Sequence, residues 1–327
     1  MRKISLLFGA LLLTLFIAAC GSDDKNETGN KGGGNGDGLD TNIVTIATGG
    51  SSGPYNIIAT TLAEIYSKEY NVNAKTQTTG ASVENLNLIK QGKVEMAFVM
   101  SDALSQAVNG EQSFPEPVEN VQQIGVLYPN YVQIVTTKDS GIETIYDLKG
   151  KRVAVGDQNS GVEVNARALL EGHGITYDDI EVDYLGYAEA ADGIRAGQID
   201  AAFLTSGLPN ASVLELSQSV DLQLVTIDPK DIEEIAKDKS YFVALEIPAG
   251  TYGNDEPIPT AAIMNALVVN SDLSEDDVYK LTKTFFESLD QLENSHQAAA
   301  DISLENAQNG LVAPIHPGAE RYFNEQK

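Results

Sequence analysis

The 327-residue sequence has one cysteine, three histidines and less than half as many positive as negative charges. Each shortage removes a class of function. A lone Cys20 permits neither an internal disulfide nor a thiolate metal site. His173, His296 and His316 are scattered, and none belongs to a cluster with metal-ligand spacing. With 21 Lys and Arg against 47 Asp and Glu, a formal charge of −26, the chain should repel nucleic acid and bare anionic lipid, which demand basic patches. The run Gly49-Gly50-Ser51-Ser52-Gly53 lacks the Gly-Lys-Ser/Thr ending of a phosphate loop, and the dinucleotide glycine spacing is missing. Ser51, Ser52 and Ser160 have no nucleophile-elbow context and no base close in sequence. No catalysis, metal or cofactor is expected.

The N-terminus is built for export. Met1-Arg2-Lys3 is a positive start, and Ile4 to Ile17 is apolar apart from Ser5, Gly9 and Thr14. That run is shorter than the ~20 residues needed to span a bilayer, and Ala18-Ala19 before Cys20 supply the small residues of a cleavage site. Residues 1–19 read as a signal peptide. Cys20 resembles the lipidated residue of a bacterial lipobox, which would hold the mature chain on the outer face of the cell membrane. Residues 20–41 are rich in Gly, Asn, Asp, Ser and Lys. Such a segment cannot bury enough apolar surface to order itself and reads as a flexible tether, so the folded part is expected from about Asn42.

The strongest internal signal is a duplication. Leu88-Ile89-Lys90-Gln91-Gly92-Lys93-Val94-Glu95-Met96-Ala97-Phe98-Val99-Met100-Ser101 recurs 105 residues later as Gly193-Ile194-Arg195-Ala196-Gly197-Gln198-Ile199-Asp200-Ala201-Ala202-Phe203-Leu204-Thr205-Ser206. Each copy reads as a helix end, a glycine stop and a buried strand. Upstream, Ile43–Ala47 runs into Gly49–Gly53, and Arg152–Gly156 runs into Gln158-Asn159-Ser160-Gly161, each followed by a helical stretch (Tyr55 to Glu69; Val162 to His173). Two copies of strand, Ser-Gly loop, helix, strand, helix, glycine, strand predict two similar α/β lobes with largely parallel sheets. Tyr131–Thr137 reads as a continuous strand joining them, as a hinge would.

Ligands bind such sheets at the carboxyl ends of the strands. Gly50, Ser51 and Ser52 with Ser101 and Asp102, and Ser160 and Gly161 with Thr205 and Ser206, should therefore face one another across a cleft. The first Gly-Ser loop suits an anion or serves as a plain cap. Thr79, Ser82 and Val83 belong to a Thr-Gly turn and helix start that would bring further contacts. Asp102 would meet a ligand ammonium, cap the helix after it, or both. Tyr55, Tyr128, Tyr187 and Phe203 could wall the cavity. Arg167 reads as a partner of Glu163 four residues before it.

Several of these runs together resemble one family. Thr48-Gly49-Gly50, Gly80-Ala81-Ser82-Val83-Glu84-Asn85-Leu86, Ser101-Asp102 and Asp147–Gly156 look like the TAXI subgroup of TRAP-transporter solute-binding proteins. So do Ile247–Tyr252, Ile302–Ala307 and His316-Pro317-Gly318-Ala319, which brings nearly all of residues 43–323 into the resemblance. Ser51-Ser52-Gly53-Pro54-Tyr55-Asn56 keeps one aromatic where that family commonly has a pair. The resemblance implies an α/β fold of the type II periplasmic-binding-protein kind, two lobes closing on a cleft. Its lobes would be residues 42–135 with 255–327, and residues 136–254. It further implies a monomeric receptor that passes a small carboxylate or amino acid, glutamate-like, to the subunits of an ion-gradient-driven membrane permease. A lipid-anchored sensory module uncoupled from transport is the alternative.

Overall fold

The computed structural model describes residues 38–327. The expected signal peptide and Cys20, and most of the segment expected to be a tether, fall in residues 1–37, outside the described residues. The described residues start four residues before Asn42, where the folded part was expected to begin. The backbone N–H groups of Asp40 and Thr41 donate to the Asp277 carboxylate at 2.7 and 2.9 Å, which pins them against a helix start. A tether composition could not reveal that partner, 236 residues away.

Ten strands form one mixed sheet: β1 (Ile43–Ala47), β2 (Asn73–Gln77), β3 (Met96–Met100), β4 (Val121–Thr137), β5 (Arg152–Ala154), β6 (Glu181–Asp183), β7 (Ala201–Ser206), β8 (Leu222–Leu224), β9 (Phe242–Ile247) and β10 (Ile258–Asn270). The order β2-β1-β3-β10-β4-β7-β5-β6 places two three-stranded parallel units on either side of the long strands β4 and β10. β1, β2 and β3 correspond to β5, β6 and β7, so the duplication read from sequence is a duplication of structure. The largely parallel expectation holds only within each unit. β10 is antiparallel to β3, β4 and β9, and β4 is antiparallel to β7 and β8.

Helices α1 (Pro54–Tyr70) and α2 (Ser82–Lys90) connect the first unit, and α3 (Ser101–Asn109) leaves it. Their counterparts in the second are α4 (Gly161–Gly172), α5 (Tyr187–Arg195) and, after a short loop, α6 (Ala211–Ser217). Helix α7 (Pro229–Ile235) packs on the second unit; α8 (Glu275–Glu287), α9 (Leu289–Ser295) and α10 (Pro317–Glu325) return to the first. α2 and α5 both stop before a glycine in the left-handed region, Gly92 (φ 62°) and Gly197 (φ 68°). That conformation is inexpensive only for a residue without Cβ, which is why the duplicated motif keeps a glycine there.

Alternation along the strands divides the cores. Met96 and Phe98 face one apolar cluster while Ala97 and Val99 face another. In the second unit Val153, Ala201 and Phe203 face one cluster and Ala154, Ala202 and Leu204 the other. Both faces of each unit are covered, as parallel strands require. The register sets the two units end to end. β4 pairs with β10 over its first half, and from Tyr131 onward it pairs with β7, whose last residue, Ser206, lies opposite Tyr131. Met100, the last residue of β3, lies opposite Asn265 of β10. The carboxyl ends of β3 and β7 therefore point toward each other along β4. Among the described residues no helix is long and apolar enough to cross a membrane.

Candidate functional site

A cavity of about 320 Å³ occupies the junction where the strand ends converge. Its volume falls at the lower end of small-molecule sites. From the first unit come the loop Gly49–Gly53, Tyr55, Gly80 and Ala81; from the second come Asp157, Ser160, Gly186, Tyr187 and Glu189; and Asn130 of β4 and Ser206 of β7 close the floor. Four helices begin at this wall: α1 after Gly53, α2 after Ala81, α4 after Ser160 and α5 after Gly186. Unpaired N–H groups at helix starts favour negative charge, by ~0.3–1 kcal/mol each at exposed sites. Pro54 occupies the first turn of α1, so that helix offers one donor fewer.

The two units touch across the cavity. Glu84 N donates to Asn159 O at 3.2 Å, and Ser212 Oγ donates to Ser52 Oγ at 3.2 Å. A Cβ on Gly53 would stand 3.3 Å from the Tyr187 ring, and one on Gly161 would stand 2.6 Å from Ser82 Oγ. This close approach explains glycine at position 161, where α4 enters against α2.

Of the residues expected at the site, Gly50, Ser51, Ser52, Tyr55, Ser160 and Ser206 line the cavity. Ser160 Oγ accepts the Glu163 N–H at 3.0 Å as the cap of α4, which leaves its hydroxyl proton to donate. Ser206 Oγ accepts from Gln133 and Asn210 and donates to Gly207 O, so its capacity is already used. The others stand behind the wall. Thr79 bonds Asn85 Oδ1 at 2.6 Å and takes the Ala81 N–H at 3.0 Å. Ser82 is buried and accepts the Met100 N–H at 3.0 Å. Val83, Tyr128 and Phe203 belong to the apolar clusters. Ser101 is buried in the first turn of α3, and Gly161 packs on Ser82. Thr205 bonds Asn165 Oδ1 at 2.8 Å, while its carbonyl accepts the Tyr187 hydroxyl that positions that ring.

Asp102 is the clearest departure. It does not line the cavity. Its carboxyl is 0 % exposed; Oδ1 accepts the Ala103 N–H at 2.7 Å, and among the described residues Oδ2 has no partner. Burial pushes this carboxyl up to about 7. Nor is it the cap: α3 already starts at Ser101, with Met100 as its N-cap and no side-chain cap bond, and Asp102 sits inside the first turn, where it accepts only its neighbour's N–H. Arg167 pairs with Glu163 at 3.1 Å, as its spacing suggested, and lines a separate cleft between α3 and α4.

Sequence reading missed Asp157, Glu189 and Asn130, and treated Tyr187 only as a possible wall. The duplication held the signal. Glu84 and Glu189 occupy equivalent third positions of α2 and α5, each reaching back to a glycine N–H, Gly80 at 2.6 Å and Gly186 at 3.4 Å. The looser cap, Glu189, is the one that lines the cavity. Burial, then Glu189 and Glu84, push the Asp157 carboxyl up. Among the described residues no Lys, Arg or His lines the cavity, and no group of His, Cys, Asp or Glu could hold a metal ion.

The sequence profile of the NMT1-like family matches residues 46–326. Solved structures share the fold at low identity. A protein of Bordetella bronchiseptica is similar with a TM-score of 0.57 and 16% identity, over 88% of this chain and 99% of that one. PhnD1 of Prochlorococcus marinus, solved with methylphosphonate, gives a TM-score of 0.52 and 14% identity over 87% and 96%. The alkanesulfonate-binding protein SsuA of Xanthomonas axonopodis pv. citri, bound to MOPS, gives 0.50 and 15% over 87% and 84%. The mixed α/β fold is thus that of the periplasmic binding proteins.

Proposed function

The chain belongs to the NMT1-like family, and from that premise we propose that it is an extracytoplasmic solute-binding receptor. The observation that carries this reading is the cavity itself, enclosed by strand ends and helix starts from two duplicated units and bridged by the Ser52–Ser212 and Glu84–Asn159 contacts. The solute is a small carboxylate or amino acid. Its carboxylate meets the Gly49–Gly53 loop, the Ser160 hydroxyl and the helix starts. Micromolar affinity requires ~8 kcal/mol, whereas a helix start gives ~0.3–1 and a charge-assisted hydrogen bond ~1.5–3. One unit alone supplies too little. Closing both around the solute multiplies the contacts and excludes water, and residues 42–135 with 255–327 and residues 136–254 are the bodies that close. β4, which passes from one body into the other, is the hinge. Closure gives a partner a state to recognise. That partner is a TRAP-type permease, as the motif resemblance implies, and the receptor works as a monomer held at the membrane through Cys20.

Thermal unfolding of the full chain against amino acids and small carboxylates tests the reading. A solute at about 100 times its Kd adds ~2.7 kcal/mol to the native state and raises the midpoint by several degrees. No shift with any member would sink the receptor reading for this solute class. Coupled transport in vesicles, driven by an ion gradient and abolished without the chain, would support the permease partnership; solute binding without any transport would favour the sensory alternative.

A further inference from the structure

The receptor reading leaves the charge of the solute open, and the cavity wall constrains it. Its charged members are Asp157 and Glu189, both acids, and no cation among the described residues lines the wall to offset them. A second observation is independent of the acids. Asn130 is 2 % exposed and lines the cavity, and among the described residues its Oδ1 has no hydrogen-bond partner. The orientation of this amide is fixed by its neighbours. Asn265 Nδ2 donates to Tyr128 O at 2.9 Å, so Asn265 Oδ1 must be the acceptor of the pair. That oxygen receives the Tyr55 hydroxyl and, at 2.8 Å, Asn130 Nδ2. Asn130 is therefore left with a buried carbonyl that wants a donor. A buried acceptor without a donor is destabilising, so a solute that brings an N–H regains that loss.

We propose that Asp157, Glu189 and Asn130, which line the same cavity, form an amine subsite, so that the solute carries an ammonium and at most one carboxylate. This rests on the receptor reading and narrows it. One carboxylate is served by the Ser160 hydroxyl and the helix starts. A second would meet Asp157 or Glu189 with no cation between them, and like charges that close repel. Acidic amino acids and plain dicarboxylates are thereby disfavoured, and neutral or basic amino acids are favoured. Asp157 can answer a ligand directly, because no hydrogen bond within the chain engages its carboxyl oxygens among the described residues.

Calorimetric titration of the full chain with the twenty common amino acids, succinate and glutarate tests it. The expected result is that the tightest ligand is a neutral or basic amino acid, that glutamate binds at least about tenfold more weakly than glutamine, and that Asp157→Asn weakens the tightest amine ligand by about tenfold or more. The unliganded thermal midpoint of the variant confirms that it folds, and the charge series in the unaltered chain stands without it. Succinate, glutarate or glutamate binding more tightly than every neutral and basic amino acid would overturn the amine subsite while leaving a receptor. The subsite would be overturned equally if Asp157→Asn folded and bound the amine ligand as tightly as its parent. Silence from the whole panel would overturn both the subsite and the receptor reading for this solute class.

Discussion

The two duplicated units share a topology and contribute opposite things to the cavity. The first brings a glycine- and serine-rich loop, the Tyr55 ring and no charge; the second brings Asp157 and Glu189. Each unit also carries an acid just after a strand. In the first, Asp102 follows β3 and is sealed with one unpartnered oxygen. In the second, Asp157 follows β5, half-buried on the cavity wall. The β3 strand passes straight into its helix, whereas β5 passes through a six-residue loop before α4. That loop separates Asp157 from its own helix and leaves it on the cavity wall. Duplication fixed where the loops are; loop length and burial divided the work between them.

The largest expected effect comes from the sealed acid. Its carboxyl is raised to about 7 by burial, against ~3.9 for an exposed Asp. A raised folded-state value means that its stabilising contribution is full below the ordinary carboxylate range and is lost as pH rises through about 7. Asp102→Asn should therefore leave stability nearly unchanged near pH 4 and raise it by up to about 4 kcal/mol above pH 8. Urea midpoints at both pH values check this. An equal change at both would show that Asp102 does not titrate in this range, and the contrast with Asp157 would lose its basis.

A smaller effect is expected where the units meet. A Cβ at position 161 would lie 2.6 Å from Ser82 Oγ and 3.0 Å from Met100 Sδ. Gly161→Ala should cost ~1–3 kcal/mol by overpacking and weaken solute binding by keeping α4 from seating against α2. Adding Ser82→Gly should recover part of that loss; if the double variant is no better than the single, the clash is not the cause. The smallest effect belongs to the rim. Ser52→Ala removes the 3.2 Å contact with Ser212 and should cost ~0.5–1 kcal/mol. A double-mutant cycle with Ser212→Ala would isolate the coupling, and additive single effects would mean that this contact does not help to bridge the units.

Much of the fold was legible because periodicity and turn chemistry are local. Met96–Met100 and Ala201–Ser206 read as buried strands after a glycine stop, and both are. α1 and α4 start within a residue of where the Ser-Gly loops predicted. The cavity-lining positions Gly50, Ser51, Ser52 and Ser160 were found for the same reason, since strand ends and helix caps announce themselves. Tyr128 and Phe203 could not be assigned to wall or core from sequence, because an aromatic has the same composition in either place. Asp157 was passed over although it immediately precedes the Gln158–Gly161 loop, because one acid in a chain with 47 carries little weight. The antiparallel placement of β4 and β10 was also missed. Strand direction depends on which distant segment a strand pairs with, and alternation does not encode it.

Local pattern thus settled the number of units, their duplicated order, the glycine stops and the loops that open toward the cavity, since backbone geometry at each depends on a handful of neighbouring residues. Which side chains reach the cavity was settled by long-range packing. Asp102 is hidden because α3 starts at the strand end and packs against α4, whereas the loop after β5 leaves Asp157 on the cavity wall. Asn130 is left with an open acceptor because Asn265, 135 residues away, takes its amide N–H. Charge and hydrogen-bonding capacity are written in the residues, but whether they are spent on the protein or held for a solute depends on partners that the fold alone brings together.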